Sequence, residues 1–416
     1  MTGYLQHKML YAPMIGKRPA LDLGMVVVIP AYCEERLLQS LMSLQKCEKP
    51  ICGVEIIVLI NNAQNAPTAV VELNRKIYLQ ALDWVSKQNA SELRFWIEFQ
   101  EFLPPKHAGV GLARKVGMDE AAFRLQKVKN PRGIIVCFDA DCKVDKNYLV
   151  AIEQHFKKHT RTQAASIYYE HPLDGIHHDD AVYQAILEYE LHLRYYTNAQ
   201  RFTGFPFATE TVGSSMAVRC DAYQQQGGMN RRKAGEDFYF IHKFTVLGKH
   251  SEINTTRVIP SPRISDRVPF GTGRAVGQMI QDEKELTTYN WQSFVDLKQL
   301  FRKVNSLFEQ SKEELIAFQK SMPKPVADFL EKVDFLHHVQ EIQNNTKDKK
   351  TFKNRFFRWF NAFQMMKYVH YVRDHHYANV SVTSAARDLF STAFKRSEVL
   401  EAKELLLQLR KLDKER

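Results

Sequence analysis

Gly133-Ile134-Ile135-Val136-Cys137-Phe138-Asp139-Ala140-Asp141 is an unbroken apolar run that closes on two aspartates. A run with no polar interruption fits a strand covered on both faces, as in a parallel sheet, rather than the alternating pattern of a half-solvated strand. Residues i and i+2 of an extended chain point to the same side. The expectation is therefore that Asp139 and Asp141 project together from the carboxyl end of this strand. Two carboxylates there make a hard oxygen site suited to Mg²⁺ or Mn²⁺ carrying a diphosphate. A lone Asp-x-Asp is also an ordinary strand-to-loop turn, so its neighbours have to decide.

Upstream, three more short runs have strand character: Met25 to Pro30, Val54 to Ile60 and Leu93 to Phe99. Helix-like stretches separate them, Glu34 to Leu44, Thr68 to Asn89 and Gly111 to Lys127. Strand alternating with helix predicts an α/β domain with a mostly parallel sheet built from right-handed crossovers. Ligands of such sheets collect at the carboxyl ends of the strands. Downstream the alternation loosens. Ala164 to Tyr169 predicts a strand, His171 to Asp180 a polar loop, Ala181 to Thr197 a Tyr-rich helix, and Thr209 to Arg219 a turn followed by a strand. From about residue 275 the pattern is helical and nearly free of Gly. The expected organisation is an extension over 1–24, an α/β domain over 25–275 and an all-helical region over 276–416.

The chain has 416 residues, 44% hydrophobic and 25% charged, which excludes a disordered or fibrous protein. A net charge of +11 favours anionic partners. No helix-turn-helix, zinc finger or RNP-like pattern accompanies that charge, so nucleic acid is not expected as a partner. No apolar run reaches the roughly 18 to 20 residues of a membrane span, and the first 24 residues lack a secretory apolar core. The expected location is the cytoplasm, or the inner face of the membrane as a peripheral protein. Six cysteines are too few for a disulfide scaffold. Cys47/Cys52 and Cys137/Cys142 share a C-x4-C spacing, but buried free thiols explain them more simply than zinc.

Three further motifs bear on chemistry. Ile29-Pro30-Ala31-Tyr32-Cys33-Glu34-Glu35 ends the first strand, where Pro removes a ladder donor and Glu34 can meet a ligand or cap a helix. His107 to Gly117 is a glycine-bearing turn that opens a helix, with Arg114 and Lys115 in its first turns; its glycines let the backbone approach a phosphate, with the helix N-terminus and Arg114 as donors, or it is a loop with a solvated basic face. Gly235-Glu236-Asp237 precedes an apolar helix, a place where carboxylates either cap the helix or hold a general base over a pocket.

The ordered set IPAYCEE, INNAQN, G-x3-AR-x2-G, FDAD and GED resembles the nucleotide-diphosphate-sugar domain of the family 2 glycosyltransferases, the GT-A fold, over about residues 24 to 275. That resemblance implies a Rossmann-like, mostly parallel sheet flanked by helices. It implies a metal-dependent, inverting transfer of one sugar from a nucleoside-diphosphate sugar to an acceptor hydroxyl of a glycan or lipid-linked molecule. In it, Pro30, Ala31, Tyr32 and Glu34 line the nucleoside pocket, joined by Asn62 at the end of the second strand. Arg114 lies beside the diphosphate, Asp139 holds the ribose and metal, and Asp141 ligates Mn²⁺ or Mg²⁺ directly. Asp237 is the base for the acceptor, with Glu236 beside it.

The sequence departs from the family pattern at Asn61-Asn62, where paired aspartates help read a uracil, and at Cys33 and Lys115, where asparagines are usual. The Q-x-x-R-W motif of processive synthases and their membrane helices are missing, which points to single-sugar transfer. The basic loop Arg263 to Arg274 is expected either as a flap closing on the diphosphate through Arg267 and Arg274 or as a linker. Lys347 to Arg373 carries eight Lys or Arg against one Asp, among eight aromatics. Its apolar stripe, Phe352, Phe356, Trp359, Phe363, Met366 and His370, fits a packed helix, with contact to an anionic leaflet as the other reading. A retaining transferase, a nucleotidyltransferase on the same fold and a non-catalytic nucleotide-sugar-binding protein stay as alternatives.

Overall fold

The computed structural model describes residues 2–88, 93–267, 271–282, 284–395 and 399–416. The chain divides into two compact units, one of Met1–Tyr183, Thr211–Gln278 and Asp413–Arg416, the other of Gln184–Glu210 and Met279–Leu412. The helical unit thus takes a stretch from the middle of the chain that the sequence reading places in the α/β domain. Asn89, the expected end of one helix, and Val268 to Phe270 of the basic loop lie outside the described residues.

The α/β unit is built on one eight-stranded sheet. Its strands are β1 (Leu23–Ala31), β2 (Gly53–Ala63), β3 (Leu93–Leu103), β4 (Ile134–Cys137), β5 (Lys143–Val144), β6 (Ala164–Tyr169), β7 (Met216–Arg219) and β8 (His250–Ile259). Their order is β3-β2-β1-β4-β7-β6-β8-β5. The pairs β3/β2, β2/β1, β1/β4 and β6/β8 are parallel, whereas β7 runs antiparallel to β4 and β6, and β5 to β8. The fold is therefore α/β with a mixed, mostly parallel sheet. The chain winds outward from β1 to β3 and then returns to β4 on the other side of β1, which puts a topological switch point between the carboxyl ends of β1 and β4.

β1, β2 and β4 are buried along almost their whole length, as their largely apolar sequences require, with Glu55 of β2 paired to Arg124. The helix Val110–Lys127 lies on this sheet and is buried from Gly111 to Leu125. Gly117 allows that contact, because a Cβ there would stand 2.5 Å from Val28 Cγ1. The first residues of the chain pack on the same helix. Tyr4 Oη donates to Asp119 at 2.7 Å, Lys115 Nζ donates to Tyr4 Oη at 2.7 Å, and the Met14 N–H donates to Glu120 at 2.9 Å. Lys115 is thereby tied into a buried support network rather than facing a ligand.

In the helical unit, Glu190 is fully buried between Arg194 and Arg410, with nitrogen to oxygen distances of 2.7 to 2.8 Å. The basic aromatic stretch is two helices, Lys349–Trp359 and Ala362–His375, interrupted where Asn361 caps the second through the N–H groups of Phe363 and Gln364. That break rotates the expected stripe. Phe352 and Phe356 are buried as expected, but beyond it Met365, Tyr368, Val369 and Val372 are buried in place of Phe363, Met366 and His370. The aromatic side chains pack within the unit, Phe357 and Phe360 on Phe301 and Tyr368 on Phe329. An interfacial helix needs its apolar face free to insert. Here that face is covered, and Lys347, Lys349, Lys350, Lys353, Arg355, Arg358 and Lys367 are left exposed. Among the described residues no helix is long and apolar enough to cross a membrane.

Candidate active site

The site lies within the α/β unit, at the switch point. β1 delivers Pro30-Ala31 and then the loop Tyr32-Cys33-Glu34, while β4 delivers Phe138 to Asp141 beside it, with the Phe138 N–H donating to the Val28 carbonyl at 3.0 Å. The chain leaves the strand at Phe138, so the aspartates do not sit on extended backbone as expected. They occupy a turn closed by the Cys142 N–H donating to the Asp139 carbonyl at 3.1 Å. As a result the two carboxylates meet different partners.

Asp139 faces Arg114. Arg114 Nη2 lies 2.6 Å from Asp139 Oδ1, and its Nη1 donates to Glu236 Oε1. Burial works against a charge on Arg114, but Asp139 and Glu236 outweigh it and hold the guanidinium protonated. Only 1% of Arg114 is exposed, and the Gly213 backbone comes so close that a Cβ there would stand 2.9 Å from both terminal nitrogens. One buried arginine therefore links the end of β4 with Glu236-Asp237, almost 100 residues further along the chain.

Glu236 and Asp237 open the helix Glu236–Thr245, whose N-cap Gly235 has φ 69°, a left-handed conformation that glycine adopts without strain. Asp237 Oδ1 accepts from the Phe238 N–H at 2.7 Å. Burial, with the Glu236 charge beside it, pushes the Asp237 carboxyl up to about 7, against the pull of Arg114. A carboxyl poised there is suited to taking a proton near neutral pH. Gly109 and Gly111 do not open a phosphate cradle. The segment Arg232-Lys233 covers them, and a Cβ on Gly111 would stand 2.1 Å from the Arg232 carbonyl oxygen.

Asp141 and Glu34 share a different arginine, Arg263. Its Nη2 lies 2.5 Å from Glu34 Oε2 and 2.7 Å from Asp141 Oδ2, and its Nε donates to the same Asp141 oxygen at 2.8 Å. Arg267 adds contacts of 3.2 Å to Glu34 Oε2 and also donates to the Tyr32 carbonyl. Burial pushes the Glu34 carboxyl up to about 7, with Arg263 lowering it and Asp141 raising it. Sequence reasoning singled out the loop and Arg267 but passed over Arg263. The Arg-x3-Arg spacing of 263 and 267 was the signal available. β8 makes the delivery, because Ile259 pairs with Lys143 just beyond Asp141. Arg274 pairs with Asp266 of its own segment at 2.8 Å and is half exposed.

Asn62 ends β2 fully buried, with its amide orientation set by a relay. The Cys33 N–H donates to Asn74 Oδ1 at 2.7 Å, so Asn74 turns its NH₂ to the Asn62 oxygen, and Asn62 Nδ2 is left without a partner. Where a carboxylate would only accept, this position offers a donor.

Among the described residues no three His, Cys, Asp or Glu side chains form a cage for a metal. A catalytic Mg²⁺ or Mn²⁺ needs no such cage, since one or two carboxylates plus substrate phosphates and water complete its sphere. Asp141 and Glu34 fit that pattern, because their converging oxygens already hold a cationic group, the Arg263 guanidinium.

No family model and no curated protein sequence matches the chain. Among solved structures it is similar to residues 1–349 of S. aureus TarS in complex with UDP-GlcNAc, at 15% identity and a TM-score of 0.41, covering 82% of this chain and 93% of that one. It is also similar to GalNAc-T7 with UDP, GalNAc and Mn²⁺, at 14% identity and a TM-score of 0.38, covering 86% of this chain and 58% of that one. Those values are too low to carry a residue's role from one chain to another.

Proposed function

We propose that the protein is a metal-dependent, inverting glycosyltransferase that moves a single sugar from a nucleoside-diphosphate sugar to an acceptor hydroxyl. The observation that carries this reading is the bridge through buried Arg114, which joins Asp139 to Glu236, the neighbour of Asp237, at the switch point. In the proposed reaction Asp237 accepts the proton of the acceptor hydroxyl as its oxygen attacks C1 of the sugar. The bond from C1 to the diphosphate oxygen breaks, the nucleoside diphosphate leaves, and attack from the opposite side inverts the anomeric configuration. Arg114 supplies preorganised positive charge close to Asp139 and to the leaving group's expected place. Glu236 fixes that guanidinium and sits beside the base. A divalent cation held by Asp141 and Glu34, when bound, supplies neutralisation of the diphosphate charge. Pro30 to Glu34 and Asn62 form the nucleoside side of the pocket.

The test is Asp237→Asn. General-base catalysis contributes about 10²- to 10⁴-fold, so the variant is expected to lose transfer and donor hydrolysis to that extent while still binding nucleoside diphosphate. Unchanged turnover would remove Asp237 as the base. Release of pyrophosphate in place of nucleoside diphosphate would identify a nucleotidyltransferase, and a retained anomeric configuration a retaining enzyme. If wild type binds a nucleotide sugar and never turns it over, the binding-protein reading stands.

A further inference from the structure

Arg263 belongs to a strap that leaves β8 through Pro260-Ser261-Pro262 and folds back on itself where the Ser265 N–H donates to the Gly273 carbonyl at 3.2 Å. The strap's described hold on the site is ionic. Arg263 is about a quarter exposed and contacts both Glu34 and Asp141, while Arg267 contacts Glu34 and the Tyr32 carbonyl. Ile264 between them is 47% exposed and anchors nothing at the acids.

Building on the metal-dependent reading above, we propose that Arg263 is a resident counter-ion of the Glu34–Asp141 pair, which a divalent cation must displace in order to bind. Both acid oxygens lie within 2.7 Å of the single nitrogen Nη2, so they converge on one cation-sized position. Two carboxylates there are balanced by two guanidinium groups, Arg263 and Arg267. A divalent cation added while both arginines stay would face uncompensated repulsion at short range. If Arg263 leaves, the cation takes the Asp141 oxygen and the freed guanidinium needs an anion. A nucleoside diphosphate brings one in the same step. Cation and diphosphate therefore bind with positive coupling, each lowering the cost of releasing the strap for the other. Arg114 does not take part in this exchange, since its own acids are Asp139 and Glu236. The strap thus keeps the α/β unit from loading metal by itself.

The experiment is a titration of the full chain with Mn²⁺ alone, read by loss of the free-ion EPR signal at fixed ionic strength. Arg263→Gln and Arg263→Ala are expected to bind one Mn²⁺ at least tenfold tighter than wild type, and the gain is expected to vanish when Asp141→Asn is added. Using two replacements guards against one that folds poorly, and circular dichroism melts identify it. Equal affinity in wild type and both variants overturns the exchange, as does a gain that survives Asp141→Asn. The metal-dependent reading has its own readout, the same titration with UDP or GDP present. Mn²⁺ held there by the wild-type protein, together with equal affinity of wild type and variants for Mn²⁺ alone, sinks only the role of Arg263, whereas no Mn²⁺ held by any of them beyond what free UDP or GDP binds sinks both.

Discussion

Cys33 holds φ 50°, in the left-handed region, and its N–H is spent on Asn74. A residue with a Cβ adopts that conformation at a cost of roughly 1–2 kcal/mol, which asparagine offsets better than most. Cys33→Asn is expected to stabilise the fold by about 0.5–1 kcal/mol, seen as a small rise in melting temperature; a fall would mean that the thiol makes a contact worth more than the strain. At Asp237 the relevant quantity is a proton. With the carboxyl pushed up to about 7 by burial and by Glu236, the proposed base is protonated, and so idle, below that pH and free above it. kcat/KM is therefore expected to rise with pH through an apparent pKa near 7. A profile flat from pH 5 to 8 would contradict the assignment.

At the scale of elements, two glycines of one helix do different jobs. Gly117 meets Val28 on the sheet, whereas Gly111 meets the Arg232 carbonyl in the segment that leads into Glu236-Asp237. Gly117→Ala is expected to cost about 1–3 kcal/mol by overpacking and leave kcat unchanged. Gly111→Ala pushes directly on the segment before the proposed base, and is expected to lower kcat roughly 10- to 100-fold through misplacement of the reacting groups. Equal effects on kcat would show that the segment does not position the helix. The same elements show what the sequence made legible. β1 and β4 could be read because their runs are apolar and uninterrupted, β2 and β6 because theirs are broken by a single polar residue, Glu55 and Ser166, and Ala164 to Tyr169 is matched to the residue. β8, His-Ser-Glu-Ile-Asn-Thr-Thr-Arg-Val-Ile, could not, because it is half exposed and its polar residues carry no apolar period. With β8 unread, nothing indicated that Arg263 would arrive beside Asp141. Nor could sequence spacing say that the aspartates would split between two arginines, since that follows from the turn at Phe138 to Cys142.

For the whole molecule, each unit buries an ion pair of its own. The α/β unit encloses Glu55 with Arg124 and gathers the candidate site's charges where β1 and β4 end. The helical unit encloses Glu190 with Arg194 and Arg410. Removing one partner of a buried ion pair typically costs 3–5 kcal/mol, so Glu190→Gln is expected to destabilise the helical unit by about that amount. A melting curve that separates or shifts the helical transition would register it; an unchanged curve would mean the cluster is not a structural staple. The gathering of Glu34, Arg114, Asp139, Asp141, Glu236 and Asp237 at one switch point is the claim on which the functional account rests. Its most direct test is thermal denaturation of wild type and Asp141→Asn with a series of nucleoside diphosphates, each with and without Mn²⁺, since a ligand of the folded state raises the melting temperature. At least one nucleoside diphosphate should raise it for wild type only when Mn²⁺ is present, and fail to do so for Asp141→Asn. A series in which none does, or in which Asp141→Asn responds as wild type does, would contradict the account.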